Sequence, residues 1–223
     1  DQPCQFELIA YDFTGTVQSD EGLNLRGGQL LSCKTECKGQ IYLDVYRHLK
    51  ETKREYRYLA LFDDDVMMRV SDINYMLHIG QVYDLDSFQA ALSHDSHRTH
   101  EFVLQVPNQI LHWVTWVEIM MPFYRKELFE AAADFYPYSI SGYGIDSHVM
   151  PIMQKTKNMN RVAVIDAVVA GHNRPVTSAE QVFSNGLSPI DETENIRNLC
   201  RDYVKTHHAE LLETEWFSEL IAF

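Results

Sequence analysis

Residues 56–68 read YRYLALFDDDVMM. The run Tyr58-Leu59-Ala60-Leu61-Phe62 is short, apolar and aromatic at its tip, so it reads as a buried strand. Asp63, Asp64 and Asp65 follow at once. Three like charges at a strand end repel one another and cost free energy unless something cationic neutralises them. A divalent metal holding a phosphorylated ligand would do so, because hard cations take carboxylate oxygens and share their shell with phosphate. The alternative is a solvated turn whose aspartates cap the next helix. The rest of the chain has to decide between the two.

Upstream of the triplet, residues 6–11 form a strand candidate. Residues 12–39 are rich in Gly, Ser, Thr and Asp and read as a long loop, a feature that is usually functional or mobile. Residues 41–51 have helical spacing through Ile41, Val45 and Leu49. Downstream, residues 71–83 predict a helix with Ser71 as N-cap and Ile73, Met76, Leu77 and Gly80 on one face. Residues 88–92 predict a short strand, and residues 113–121 a strongly apolar one stopped by Pro122. A helix over 125–135 turns Leu128, Phe129, Ala132 and Phe135 inward. A shorter one over 145–154 is ended or kinked by Pro151. Residues 162–170 are a buried strand, and 192–223 are mostly helical. This alternation predicts an α/β fold, a sheet with helices on both faces. With 223 residues, no internal repeat and no low-complexity segment, one domain over 1–223 is expected, with 192–223 its C-terminal helical segment.

At 45% hydrophobic and 23% charged, the composition is that of a soluble globular protein. A net charge of -13 argues against a nucleic-acid partner, which needs a basic footprint, but not against a nucleotide held through a metal. No stretch approaches the roughly 18 apolar residues of a transmembrane segment, and no signal-peptide pattern is visible. The expected location is cytoplasmic, or peripheral to a membrane. The chain starts at Asp1 rather than Met, as a trimmed start would. Cys4, Cys33, Cys37 and Cys200 are too few for a disulfide framework and read as reduced thiols. Cys33 and Cys37 have no second ligand pair at zinc spacing.

Two resemblances bear on function. The stretch Asp12-Phe13-Thr14-Gly15-Thr16 resembles the DxTGT nucleophile motif of haloacid-dehalogenase phosphotransferases, which would make Asp12 the nucleophile. That family also needs a later acidic pair after a strand. The late strand here, Val162-Ala163-Val164-Ile165-Asp166-Ala167-Val168, lacks it, and the aspartate triplet comes too early. The second resemblance is broader. YRYLALFDDDVMM (56–68) looks like the acidic metal motif of GT-A-fold glycosyltransferases, and TWVEIMMPFYRKELF (115–129), SGYGIDSHV (141–149) and RVAVIDAVVAGHNRPV (161–176) follow in order. Together they resemble a bacterial and plant family of glycosyltransferases long catalogued as a domain of unknown function. The family's GWG is GYG here, which keeps an aromatic ring.

This resemblance implies a GT-A-like mixed sheet flanked by helices, and an enzyme that moves a sugar from a nucleotide-diphosphate donor to a glycan, lipid-linked or other hydroxyl acceptor. It implies Mn²⁺ or Mg²⁺ as cofactor, to stabilise the charge that develops on the diphosphate leaving group. By analogy Asp65 is the direct metal ligand. Asp63 and Asp64 orient the ribose or sugar hydroxyls, and Asp63 also touches the metal. His172, after a buried strand, is a candidate second ligand or a satisfied structural histidine. Asp146, in the Gly142-Tyr143-Gly144-Ile145-Asp146 turn, is the candidate base for an inverting transfer, or an N-cap. Tyr143 can stack on a sugar face. Glu118, on an apolar segment, is a salt-bridge partner or a pocket residue. Arg125 and Arg174 are candidate diphosphate contacts, with solvated charge as the alternative.

His94, His97 and His100 drift by about 60° per step on a helix, too far for three-way ligation, and are expected on an acceptor loop or at the surface. The Met67-Met68 and Met120-Met121 pairs are expected as core filler. GT-A folds begin with a strand and loop that hold the nucleotide base. Residues 6–11 resemble the second strand of such a fold, which would place the first upstream of Asp1; the other pairing makes 6–11 the first strand. Phosphotransfer through Asp12 and a non-catalytic carbohydrate-binding domain remain the alternative functions.

Overall fold

The computed structural model describes residues 3–21, 25, 28–175 and 181–223. Part of the 12–39 loop and Val176, the last residue of the fourth motif, therefore lie outside the described residues. The fold is mixed α/β, with a mixed sheet between helices. The sheet is built on β5 (Ser87–Leu92), buried along its whole length, and β8 (Val162–His172), which run parallel. On the other edge of β5 lies β7 (Phe123–Arg125), antiparallel, and beyond it β3 (Tyr58–Ala60), antiparallel to β7. Thus β3, β5 and β8 point the same way, and their carboxyl ends share one edge. Two short strands pair antiparallel with β8: β6 (His112–Trp113) near its start and β4 (Val66–Met67) at its end. A separate parallel pair, β1 (Ile9–Asp12) with β2 (Gln29–Ser32), packs Ile9, Tyr11 and Leu31 on the main core.

Side-chain alternation divides the core in two. Phe123 turns to one face, where it stacks on Phe88 with ring centroids 4.7 Å apart, beside Met76 and Ile79 of α2 (Val70–Val82). Tyr124 turns to the other face, to Tyr42, Val45 and Leu49 of α1 (Lys38–Glu51) and Phe129 of α3 (Lys126–Ala131). On that side α4 (Met150–Thr156), α5 (Pro189–His207) and α6 (Glu215–Ala222) complete the layer with Ile152, Ile196, Cys200 and Phe217. Each buried ring or aliphatic side chain contributes about 1.5–3 kcal/mol, so both layers favour the sheet strongly.

Several expectations need correction. Of residues 113–121 only Trp113 lies in a strand, the short β6. Pro122 has no N–H, and the donors of Glu118 and Ile119 go to side chains, Gln89 Oε1 at 2.5 Å and Asp146 Oδ2 at 3.0 Å. Ser71 is not the cap of α2; the Asp72 carboxylate accepts from the Arg69 N–H at 3.1 Å, so the helix starts at Val70. The 12–39 loop contains β2, whose intermediate burial gives little period-2 contrast. The first strand spans Ile9–Asp12 rather than 6–11, and among the described residues it pairs with β2 alone. Met67 is 63% exposed and is no core filler, whereas Met120 and Met121 are buried.

Candidate functional site

A cavity of about 580 Å³ opens at the shared carboxyl ends of β3, β5 and β8. In open sheets this is where ligands bind. Asp63, Asp64, Asp65, Glu118, Asp146, His172 and Arg174 all line it, although they are up to 111 positions apart in the chain. Lys38, Cys37, Tyr143, His148, His100 and Trp116 line it too.

The β4–β8 register sets the first pair. Val66 lies opposite His172, so the preceding Asp65 meets the imidazole, Oδ2 to Nε2 at 3.4 Å. His172 Nδ1 is 2.8 Å from the His97 carbonyl, which can only accept, so Nδ1 carries the hydrogen. Nε2 then faces a carboxylate oxygen, with a lone pair if the ring is neutral and with a hydrogen if it is doubly protonated. Two acceptors this close require a second ring proton or a cation between them. The other Asp65 oxygen, Oδ1, is buried and has no hydrogen-bond partner among the described residues. Asp64 and Arg174 form an exposed pair at 3.2 Å, worth at most about 1 kcal/mol and readily exchanged for a ligand.

Asp63 faces inward instead. Its Oδ1 is 2.5 Å from Lys38 Nζ, at the first residue of α1. Burial pushes the Asp63 pKa up and pulls that of Lys38 down, while each partner opposes the shift. Glu118 is 6% exposed. Its Oε2 has no partner, and Oε1 lies 4.0 Å from His100 Nε2. Burial, reinforced by the charges of Asp146 and Asp63, pushes its pKa up to about 8. Asp146 sits in a single π-type turn, residues Ile145–Val149, behind two glycines in the left-handed region, Gly142 (φ 92°) and Gly144 (φ 82°). The positive φ at both positions is a conformation that L side chains rarely adopt, so the turn needs glycine there. Burial raises the Asp146 pKa to about 6, against the Ile119 and Ser147 amides that its oxygens accept. Two acids in one cavity with pKa values pushed apart suit acid and base roles. At neutral pH Asp146 is ionised and Glu118 holds its proton.

The turn is fixed from behind. Glu192, fully buried on α5, accepts from the amides of Ile140 (3.0 Å) and Ser141 (2.8 Å), from the Ser141 hydroxyl and from Asn185 Nδ2. His148 accepts from Arg197 Nε at Nε2 (3.3 Å), and its Nδ1 donates to Ser147 Oγ at 2.9 Å. Burial and the Arg197 charge lower its pKa to about 4, so it is neutral. On the opposite wall Trp116 packs edge-on against His100 and Phe102, at 4.9 and 4.8 Å. The sequence reasoning missed Lys38, Glu192, His148 and Trp116.

Compared with protein-family models, curated proteins and solved structures, the chain finds no match.

Other candidates fall elsewhere. Arg125 is not in the cavity; it is paired with Asp84 (2.8 Å) and Asp86 (3.1 Å) in a separate depression. Asp12 is also outside it. One oxygen accepts from the Thr14 amide and hydroxyl, the other from Thr16 N, Val17 N and Ser32 Oγ, and these bonds hold its carboxyl well below the usual range. His94 and His97 are exposed on an irregular loop, while His100 reaches the cavity. Burial raises the pKa values of Cys33 and Cys37, which disfavours the thiolate a metal would need. Among the described residues no three His, Cys, Asp or Glu side chains form a ready metal cage. A two-ligand site completed by phosphate oxygens is nevertheless ordinary for Mg²⁺ chemistry, and the unpartnered Asp65 oxygen fits one.

Proposed function

We propose that this protein is a metal-dependent glycosyltransferase of GT-A-like fold, which moves a sugar from a nucleotide-diphosphate sugar to a hydroxyl acceptor. One observation carries the proposal: the Asp65 carboxylate faces His172 Nε2 across 3.4 Å with its second oxygen buried and, among the described residues, unpartnered, in a cavity at the carboxyl ends of parallel strands. The order of the four sequence motifs supports it.

Asp65 and His172 would hold Mn²⁺ or Mg²⁺, and Asp63 would join them only on release from Lys38. When bound, the ion supplies Lewis-acid stabilisation of the diphosphate leaving group. Arg174, tied to Asp64 only at the surface, is placed to add charge-assisted hydrogen bonds to phosphate. Asp146 takes the proton of the acceptor hydroxyl; with its pKa near 6 it is ionised at neutral pH, yet basic enough to receive one. Its two backbone hydrogen bonds fix the carboxylate in the cavity wall. Glu118, protonated, can donate a hydrogen bond to a bound oxygen. Tyr143, at the rim, offers a ring face to a sugar.

Incubation with UDP-, GDP- and CDP-sugars and Mn²⁺ tests this. Release of nucleoside diphosphate that EDTA stops is expected with at least one donor. No release from any donor, with or without simple sugar acceptors, contradicts it.

A further inference from the structure

Among the described residues, five carboxyl side chains line the cavity (Asp63, Asp64, Asp65, Glu118 and Asp146) against two full cations, Lys38 and Arg174. Arg174 is 63% exposed and pairs with the exposed Asp64. Lys38 is the internal one. Its side chain is 13% exposed, its Nζ is 2.5 Å from Asp63, and the charges of Asp146 and Asp65 also act on it. It opens α1, whose first turn holds no acidic residue and whose N-terminus no side chain caps. The positive end of that helix therefore adds to the lysine charge on the cavity wall.

We propose that Lys38 is a built-in counter-cation of the acidic cluster. It holds Asp63 while the site is free, disfavours the bare divalent ion, and passes to the donor diphosphate when ion and donor bind together. The inference rests on the function proposed above. An ion arriving alone must take Asp63 from a buried ammonium and leave that ammonium without an anion, and an unpaired buried charge is strongly disfavoured. An ion arriving with a diphosphate brings the anion that the ammonium needs. The lysine side chain suits the exchange, being a point charge on a flexible four-carbon stem rather than a fixed planar fork.

Mn²⁺ paramagnetic resonance of the protein, alone and with UDP, GDP or CDP, tests the proposal. In the wild type the free-ion signal is expected to persist without nucleotide and to fall once a matching diphosphate is added. In Lys38→Met the bare-ion affinity should rise at least ~10-fold and the diphosphate affinity fall at least ~10-fold. Lost packing alone would not move the two in opposite directions. Lys38→Arg, which keeps the charge, should leave the bare-ion affinity at the wild-type level; a rise as large as that of Lys38→Met overturns the proposal. Thermal melting reports whether Lys38→Met is folded. If it is not, the wild-type titration decides, and tight Mn²⁺ binding without any diphosphate overturns the proposal. Absence of Mn²⁺-dependent diphosphate binding in the wild type removes the glycosyltransferase function and this inference together. Such binding in the wild type, with bare-ion affinity unchanged or lowered in Lys38→Met, removes only the role of Lys38.

Discussion

Two sets of buried carboxylates stand in this molecule, and they are treated in opposite ways. Behind the site, Glu192 and Asp166 have both oxygens engaged. Glu192 gathers the Ile140 and Ser141 amides, the Ser141 hydroxyl and Asn185; Asp166 accepts from the Val106 amide and the His112 imidazole at 2.7 and 2.8 Å. Inside the cavity, Asp65 and Glu118 each keep an oxygen that is buried and unpartnered. Folding gains nothing from leaving an acceptor without a donor, and such atoms are rare in native proteins. The satisfied acids hold loops in place. The unsatisfied ones are where, under the proposed function, a cation or substrate would complete the set.

Asp146 belongs to both sets, since its oxygens hold backbone amides and it also faces the cavity. Asp146→Asn therefore gives the largest effect expected: turnover lower by about 10²–10⁴-fold with donor binding retained, read from steady-state kinetics beside calorimetry. An unchanged kcat would assign Asp146 to the structural set alone. Glu192→Ala comes next. It strands at least two buried amides at about 1–3 kcal/mol each, so urea unfolding should show a loss of roughly 3 kcal/mol or more. A loss below ~1 kcal/mol would break the comparison from the structural side.

Glu118→Gln sharpens it from the other side. A carboxyl with a folded pKa near 8 and an unfolded value near 4.5 stays protonated in the native state while the unfolded chain ionises. Wild-type stability should thus fall as pH rises from about 4.5 to about 8, by up to ~1.4 kcal/mol per unit. Glutamine cannot ionise, so Glu118→Gln should flatten that slope and be the more stable protein at pH 8. Parallel stability–pH curves would show that Glu118 is not held protonated. Least of all, Asp12→Asn should change turnover by less than about twofold, as a surface change away from the site does. Abolition of a phosphatase activity by that change would instead favour the phosphotransfer alternative.

The sequence carried the α/β alternation and the long elements, because α1, α2, β5 and β8 have periodic or continuous apolar patterns. It misread 113–121, where apolar residues form an irregular segment whose amides go to Gln89 and Asp146; hydropathy does not register that difference. Of the candidate site residues, Asp63, Asp64, Asp65, Glu118, Asp146, His172 and Arg174 were each legible as motif members, and the fold gathers them in one cavity. Arg125 stood in a motif yet ends β7 and pairs with Asp84 and Asp86 just before β5, at the opposite end of these strands from the cavity. Lys38 left no signal, because helical spacing begins at Ile41 and places residue 38 in the preceding loop, whereas α1 starts at Lys38 itself. Glu192 left none either, because its partners lie some 50 positions away and only tertiary structure joins them.

The central claim is that Asp65 and His172 take a divalent ion together with a nucleoside diphosphate. Calorimetric titration of UDP, GDP and CDP with and without Mn²⁺, in the wild type and in Asp65→Ala, tests it most directly. The account predicts that at least one diphosphate binds only with Mn²⁺, and that Asp65→Ala abolishes this binding in a folded protein. Binding to none of the three, or equal binding by Asp65→Ala, would contradict it.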